Sequence, residues 1–306
     1  MLSSYSFLKN ICTSAFDIQA ELGVSSYLSP TVIFNDFEDN DSQIALNLAN
    51  LFNEIENGNC YISFCINESA FNDIEKINSF LDTISLFNTR GFYIVIDRNN
   101  NNGKINEINP NILARIMMFI HSLSVFNEFD VIVGYADLLS IPLAAVSNAD
   151  FATGWFSNLK RFSVSNFRKL SGGHRPKKRY TSGVLMNSLL LMPEFQALIE
   201  LGLTDIVITD SPYNDILKYK AEDTKWTDEI SCLHNWHVIN QLIEKIQNLE
   251  NINDRLKCLE ELIKNAEEAY KIIGKQKMPL DYSSRDKHLS MWTDAIQIFR
   301  EGMVSF

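Results

Sequence analysis

Apolar positions along the chain fall into two alternating patterns, short unbroken runs and helical stripes. The runs occupy residues 31–34, 60–66 (CYISFCI), 92–96 (FYIVI), 130–133, 150–153 and 205–209 (DIVIT). Each is rich in β-branched or aromatic residues and stops at a polar residue or glycine, as strands buried on both faces do. Between them lie stripes. In 42–56 the apolar spacing falls at Ile44, Leu46, Leu48, Leu51, Phe52 and Ile55, and in 110–126 at Ile112, Ile116, Phe119, Ile120 and Leu123. These spacings predict amphipathic helices, as do residues 17–22, 70–88, 138–146 and 183–201, the last broken at Pro193. Beyond residue 226 no strand pattern occurs. Residues 227–249, 252–273 and 287–301 read as helices, with Asn253 or Asp254 capping the second.

Strands alternating with helices at about 30-residue spacing predict parallel β-α units. The fold class expected is α/β, an irregular (β/α)8-type barrel over residues 1–225 with a basic insertion at 154–182. An extra C-terminal helical region, 226–306, packs on it. A doubly wound open sheet is the alternative, but no glycine-rich dinucleotide fingerprint follows an early strand.

Composition supports a large packed protein. Of 306 residues, 46% are hydrophobic, enough for a sizeable core. The five cysteines are scattered and odd in number, which argues for reduced thiols and a cytoplasmic location over a disulfide scaffold. The opening MLSSYSFLKN has no basic segment followed by a long apolar run, so no signal peptide is expected. No uninterrupted apolar window is long enough for a membrane span.

Charge changes the picture more sharply. The net charge is −11, which argues against a general nucleic-acid coat protein. Yet no acidic residue lies between Asp150 and Glu194, and eight of the 27 Lys and Arg fall between Lys160 and Arg179. They are Lys160, Arg161, Arg168, Lys169, Arg175, Lys177, Lys178 and Arg179. Phe151, Trp155, Phe156, Phe162, Phe167 and Tyr180 are threaded among them. Cations take phosphates and flat rings stack bases, so this segment points to nucleic acid, DNA or RNA, as partner. Trp155 and His174 join the basic residues as contact candidates. The other reading of the segment is a solvated charged loop.

In a (β/α) barrel, chemistry sits at the C-terminal ends of strands. Those ends carry Asp36, Glu68, Asp97, Asp137, Thr153 and Asp210. Carboxylates suit reactions at a sugar carbon, because the transition state is cationic there and a proton must also move. Asp97, Asp137, Asp36 and Asp210 are therefore the catalytic candidates, set against the ordinary role of such residues as caps and turn formers. Cys232, His234 and His237 form C-x-H-x-x-H. A zinc site needs further ligands that no second cluster supplies, so helix histidines are the reading and no metal or cofactor is expected.

From Asp130 the chain reads DVIVGYADLLSIPLAAVSNADFATGWFSNLKRFS. This resembles one β-α-β step of the tRNA-guanine transglycosylase barrel family. Residues 131–134 correspond to the strand and its glycine turn, 148–151 to entry of the next strand, and Lys160 and Arg161 to the basic segment. The resemblance covers about 35 residues and implies chemistry at an N-glycosidic bond. The family's aspartate nucleophile falls on Thr153, and its zinc cysteines have no counterpart, so altered chemistry such as base excision by another carboxylate is implied. The function expected is thus a nucleic-acid-acting N-glycosidase or base-exchange enzyme of DNA-glycosylase type, with modified bases in phage defence as one setting. A non-catalytic nucleic-acid-binding or partner-binding subunit and a barrel enzyme on a small phosphorylated substrate are the alternatives.

Overall fold

The computed structural model describes residues 4–56, 58–98, 106–155, 159–167, 177–218 and 225–304. Its centre is a parallel sheet of six strands: β1 (Tyr27–Leu28), β2 (Ile33–Phe34), β3 (Cys60–Asn67), β4 (Gly91–Asp97), β5 (Asp130–Gly134) and β6 (Asp150–Phe151). β1 and β2 both lie along β3, Tyr27 opposite Cys60 and Ile33 opposite Cys65. They act as one strand interrupted at residues 29–32, where Pro30 has no N–H to give a ladder. The order then runs β3-β4-β5-β6. It follows the chain without the reversal that defines a doubly wound sheet.

Strand periodicity divides the sheet into two unlike faces. One face of β3 carries Cys60, Ile62, Phe64 and Ile66, all buried. Against it pack α2 (Asn40–Glu56), α3 (Ile74–Ile84) and α4 (Pro110–His121). The join is aromatic. Phe80 of α3 has its ring centroid 5.2 Å from Phe64 and 5.6 Å from Phe34, and Phe37 bridges Phe71, Phe80 and Phe119. Offset and edge-to-face ring pairs of this kind add to the area they bury. The opposite face is mixed, with Tyr61, Ser63, Cys65 and Asn67 on β3 beside Tyr93, Val95 and Asp97 on β4.

The helices named α1 (Tyr5–Glu21) and α5 (Ser140–Ala144) complete the N-terminal part. After β6 comes an antiparallel hairpin, β7 (Arg179–Ser182) and β8 (Asn187–Leu190), then α6 (Gln196–Glu200). This corrects the helix expected from residue 183. Met186 takes φ 47° in the turn, a conformation that no helix continues through. The strand expected at 205–209 is also corrected. Thr204–Ile206 is a single 3-10 turn, with the Val207 and Ile208 N–H groups donating to the Thr204 carbonyl. A short apolar run does not by itself separate a buried strand from a buried turn.

Three C-terminal helices follow as the pattern predicts: α7 (Asp228–Gln247), α8 (Ile252–Lys275) and α9 (Lys287–Val304). The cap of α8 is Asn251, whose side chain accepts from the Asp254 N–H. α7 and α8 meet the chain at the β6 end of the sheet, whereas α9 packs on α4 and α8. Gln247 Nε2 donates to the Ala149 carbonyl at 3.0 Å, and Arg255 Nη1 to the Ser147 carbonyl at 2.9 Å. Glu194, buried, ties the hairpin to the segment before α9. It accepts from the Leu190 N–H, the Asp281 N–H and the Ser284 hydroxyl. Among the described residues no helix is long and apolar enough to cross a membrane.

Gly91 starts β4 opposite Asp130, and a Cβ there would overlap the Asp130 backbone carbonyl. Gly274, in the last turn of α8, faces open space. Gly91→Ala is therefore expected to lower unfolding stability by about 2 kcal/mol through overpacking. Gly274→Ala is expected to raise it by about 0.5 kcal/mol through helix propensity. Urea titration of the two variants checks the contrast, and equal effects would contradict the β4-β5 register.

Candidate functional site

Parallel pairing brings the ends of β3, β4 and β5 to one rim, with Asn67 in register with Asp97. Among the described residues, three carboxylates and three cations meet around it: Glu68, Asp97 and Asp137 with Arg98, Lys160 and Arg161. Asp97 and Asp137 are each 8% exposed and Arg98 is 6% exposed. Ionised groups this far from water persist only when paired and hydrogen-bonded.

Asp97 is fully engaged. Its Oδ2 accepts from Asn67 Nδ2 at 2.9 Å, and its Oδ1 accepts from the Val164 N–H at 3.3 Å. The backbone repeats the tie next door, where the Arg98 N–H donates to the Phe162 carbonyl at 3.2 Å. The first part of the basic segment is thereby laid over the end of β4. Arg98 is pushed down to about 10 by burial first and then by the like charge of Arg161, with Glu68 and Asp137 opposing the shift. Burial also lowers Arg161, against the pull of Glu68 and Asp97. Both remain cations at neutral pH.

Asp137 differs from Asp97. It follows β5 in a turn where Tyr135 has φ 56° and Asp137 itself φ 42°. Left-handed backbone at a non-glycine residue costs about 1–3 kcal/mol and gathers at functional sites. Its Oδ1 accepts from Asn235 Nδ2 at 3.0 Å and stands 4.0 Å from Lys160 Nζ. Asn235 is oriented in turn, because its Oδ1 accepts from the Thr181 hydroxyl at 2.7 Å. Among the described residues the second oxygen of Asp137 accepts no hydrogen bond.

Asp137 lines a cleft of about 500 Å³ between the end of β6 and α7. Phe151, Ile239 and Ile243 form apolar walls, and Ser140, Ala152, Thr153, Trp236, His237 and Asn240 complete the lining. A volume of this order accommodates one nucleoside-sized ligand. From the rim an aromatic row leads outward. Tyr135 meets Phe162 at 5.4 Å and Phe162 meets Phe167 at 5.4 Å, and Phe167 is 60% exposed.

The remaining sequence-predicted residues divide clearly. Thr153, where the resemblance puts a nucleophile, stands on the cleft wall with Asp137. Asp36 stays outside the buried cluster. It accepts two hydrogen bonds from Lys76 Nζ at 2.9 and 2.8 Å, and that ammonium holds its carboxyl below the usual range. Asp210 is exposed beyond the 3-10 turn and follows no strand. Trp155 packs edge to face on Trp236 at 5.2 Å, and its carbonyl accepts from the Cys232 thiol. Lys177 and Lys178 are exposed. Arg179 turns toward the C-terminal region, donating to the Ser188 carbonyl and to the Ser283 hydroxyl, 3.9 Å from Asp281. Arg168, Lys169, His174 and Arg175 lie outside the described residues.

His234 is a core histidine. The Thr181 carbonyl only accepts, so Nε2 carries the proton at 2.7 Å, and Nδ1 accepts from Ser211 Oγ at 2.9 Å. Among the described residues no group of His, Cys, Asp and Glu is placed to hold a metal ion. Sequence reasoning missed Arg98, Asn235 and Trp236. The first is visible as a cation abutting the surest strand. The other two are polar and aromatic positions inside a helix whose neighbours Val238, Ile239, Leu242 and Ile246 are core. Comparison with family models, curated proteins and solved structures gave no match.

Burial holds His234 and His288 each at about 4, below the unfolded value of about 6.5. Above pH 6.5 both states are neutral, and these groups give no pH dependence. As pH falls toward 4 the unfolded chain takes up the protons and the folded chain does not, so their contribution to stability is lost. Urea midpoints are expected to be level from pH 8 to 7 and to fall between pH 6.5 and 4. His234→Asn should flatten part of that slope. An unchanged slope in the variant would assign the acid sensitivity to groups it retains, His288, His121 and the carboxylates.

Proposed function

We propose that the chain is an enzyme acting on the N-glycosidic bond of a nucleotide, by base removal or base exchange, with the sugar and base held in the cleft beside Asp137. The observation that carries this reading is the Asp137 carboxylate itself. It is desolvated, clamped through one oxygen, and on the wall of a nucleoside-sized cleft. As the bond to the base breaks, positive charge develops on the sugar carbon. A carboxylate already fixed there stabilises that charge without reorganising. Lys160 and Arg161, on the same rim, supply cations for the flanking phosphates. Asp97, with both oxygens committed, positions the rim and does not react.

The finer fold reading belongs with this function. Strand order that follows the chain, with α2, α3 and α4 on one face, supports an irregular (β/α)8-type barrel whose reactive end is the rim described above. The β5-turn-α5-β6 order supports the transglycosylase resemblance at the level of that one step. Nucleic acid as carrier of the nucleotide is supported by exposed Lys177 and Lys178 and by the Tyr135-Phe162-Phe167 row, which offers a stacking platform at the surface. A free nucleotide or similar small phosphorylated substrate is the second reading. It is favoured by Arg179, which is spent on Ser283 and Asp281 and so shortens the basic track.

Base release from DNA, RNA and mononucleotides, followed by chromatography, tests the proposal. Asp137→Asn is expected to lower the rate on the order of 10³-fold. Asp36→Asn and Asp210→Asn are expected to keep it within about twofold, as substitutions outside the rim. Lys160→Ala should weaken substrate binding and reduce the salt dependence of a polymer substrate by about one unit of slope. Absence of released base from every substrate, with the protein folded, would overturn the reading.

A further inference from the structure

We infer that His237 is the proton donor of the cleft, giving its imidazolium proton to the base as the bond to the sugar breaks. The inference rests on the N-glycosidic reading above and adds the second half of its chemistry. A base that departs with the bonding electron pair leaves slowly unless a proton reaches it in the same step. Asp137 cannot supply that proton, because it must be anionic to stabilise the cation left on the sugar. A second titratable group is needed in the same space. Among the described residues that line the cleft, Asp137 and His237 are the two that titrate. The others present apolar, hydroxyl, amide or indole groups.

His234 and His237, about one turn apart on α7, are used differently. His234 is fully buried, with Nε2 on the Thr181 carbonyl and Nδ1 on the Ser211 hydroxyl, so both nitrogens are committed to the fold. His237 is half-buried on the cleft wall. Among the described residues its ring makes no hydrogen bond, and neither nitrogen is sealed from water without a partner. A ring nitrogen that stays wet carries no desolvation cost and is open to a ligand. Imidazole is also the side chain that gives and takes a proton near neutral pH. The step balances. The bond between sugar carbon and base nitrogen breaks with its electron pair going to the base, and the base takes the imidazolium proton. Water then adds to the sugar carbon, and its surplus proton returns to the imidazole.

Leaving groups that differ in their need for a proton test this. Guanine is compared with 7-methylguanine, which is already cationic on the sugar and departs neutral without a proton. Uracil is compared with 5-fluorouracil, the more stable anion. Each base is presented as its nucleoside 5′-monophosphate and within a short oligonucleotide, and release is followed in single turnovers. His237→Gln is expected to slow release of guanine or uracil about 100-fold, with KM changed less than about threefold. Its effect on the methylated or fluorinated partner is expected to be at least about tenfold smaller. Asp137→Asn should slow both members of a pair alike, since the cation forms in each case. His237→Ala should regain rate when free imidazole is added, which decides the matter if the glutamine variant does not fold. An equal loss on both members of a pair, a rate untouched by His237→Gln, or an alanine variant that imidazole does not rescue overturns the inference and leaves the bond-breaking reading standing. No release of any of these bases by the wild-type protein overturns both.

Discussion

A carboxylate removed from water must be answered by donors, and Asp97 is the place where that requirement organises the molecule. Its two oxygens reach a side chain on β3 and a backbone N–H in the segment after β6. Three stretches far apart in sequence are joined at one residue. Loss of either donor leaves a buried charge partly unmet, which costs more than the bond itself contributes. The aromatic layer on the other face holds the sheet to its helices. The Asp97 contacts decide what lies over the end of the sheet, and so which cations stand near Asp137.

The two carboxylates divide the labour that sequence reasoning assigned to a ring of four. Asp36 and Asp210 share the residue type but not the environment, one neutralised by Lys76 and the other in solvent. Asp97 and Asp137 share burial but not availability. Backbone conformation separates them as well, since Asp97 ends a regular strand while Asp137 sits in left-handed geometry held by Ser140 and Asn235. A strained turn with an incompletely satisfied oxygen is the kind of feature that packing alone does not select.

How much of this was legible follows from the same physics. Runs such as FYIVI are apolar on both faces because both faces are covered, and the polar residue that ends each run marks the rim. That made β3, β4, β5 and the position of Asp97 and Asp137 readable. The run at 205–209 has a similar composition but buries only Val207 fully, from a turn, with the Thr209 N–H donating to the Tyr180 hydroxyl in place of a neighbouring strand. The 183–190 hairpin was hidden because its apolar residues also fit a helical period. Trp236 and Asn235 were illegible for another reason. Their meaning comes from what α7 faces, and no local pattern encodes a contact made about 100 residues away. The basic segment read as one feature divides in space, Lys160 and Arg161 to the rim and Arg179 to the Glu194 network.

The helices at the β6 end have a role beyond shaping the cleft. β6 is short and terminal in the sheet, and the Ala149 carbonyl just before it is met by a side chain of α7. An uncovered row of such groups is a template on which another chain adds a strand. Gln247 occupies that carbonyl and Arg255 takes the one at Ser147. The C-terminal helices therefore serve as an edge guard. A chain shortened before α7 would lose more than one wall of a pocket, because it would also leave that carbonyl edge open to pairing with another chain.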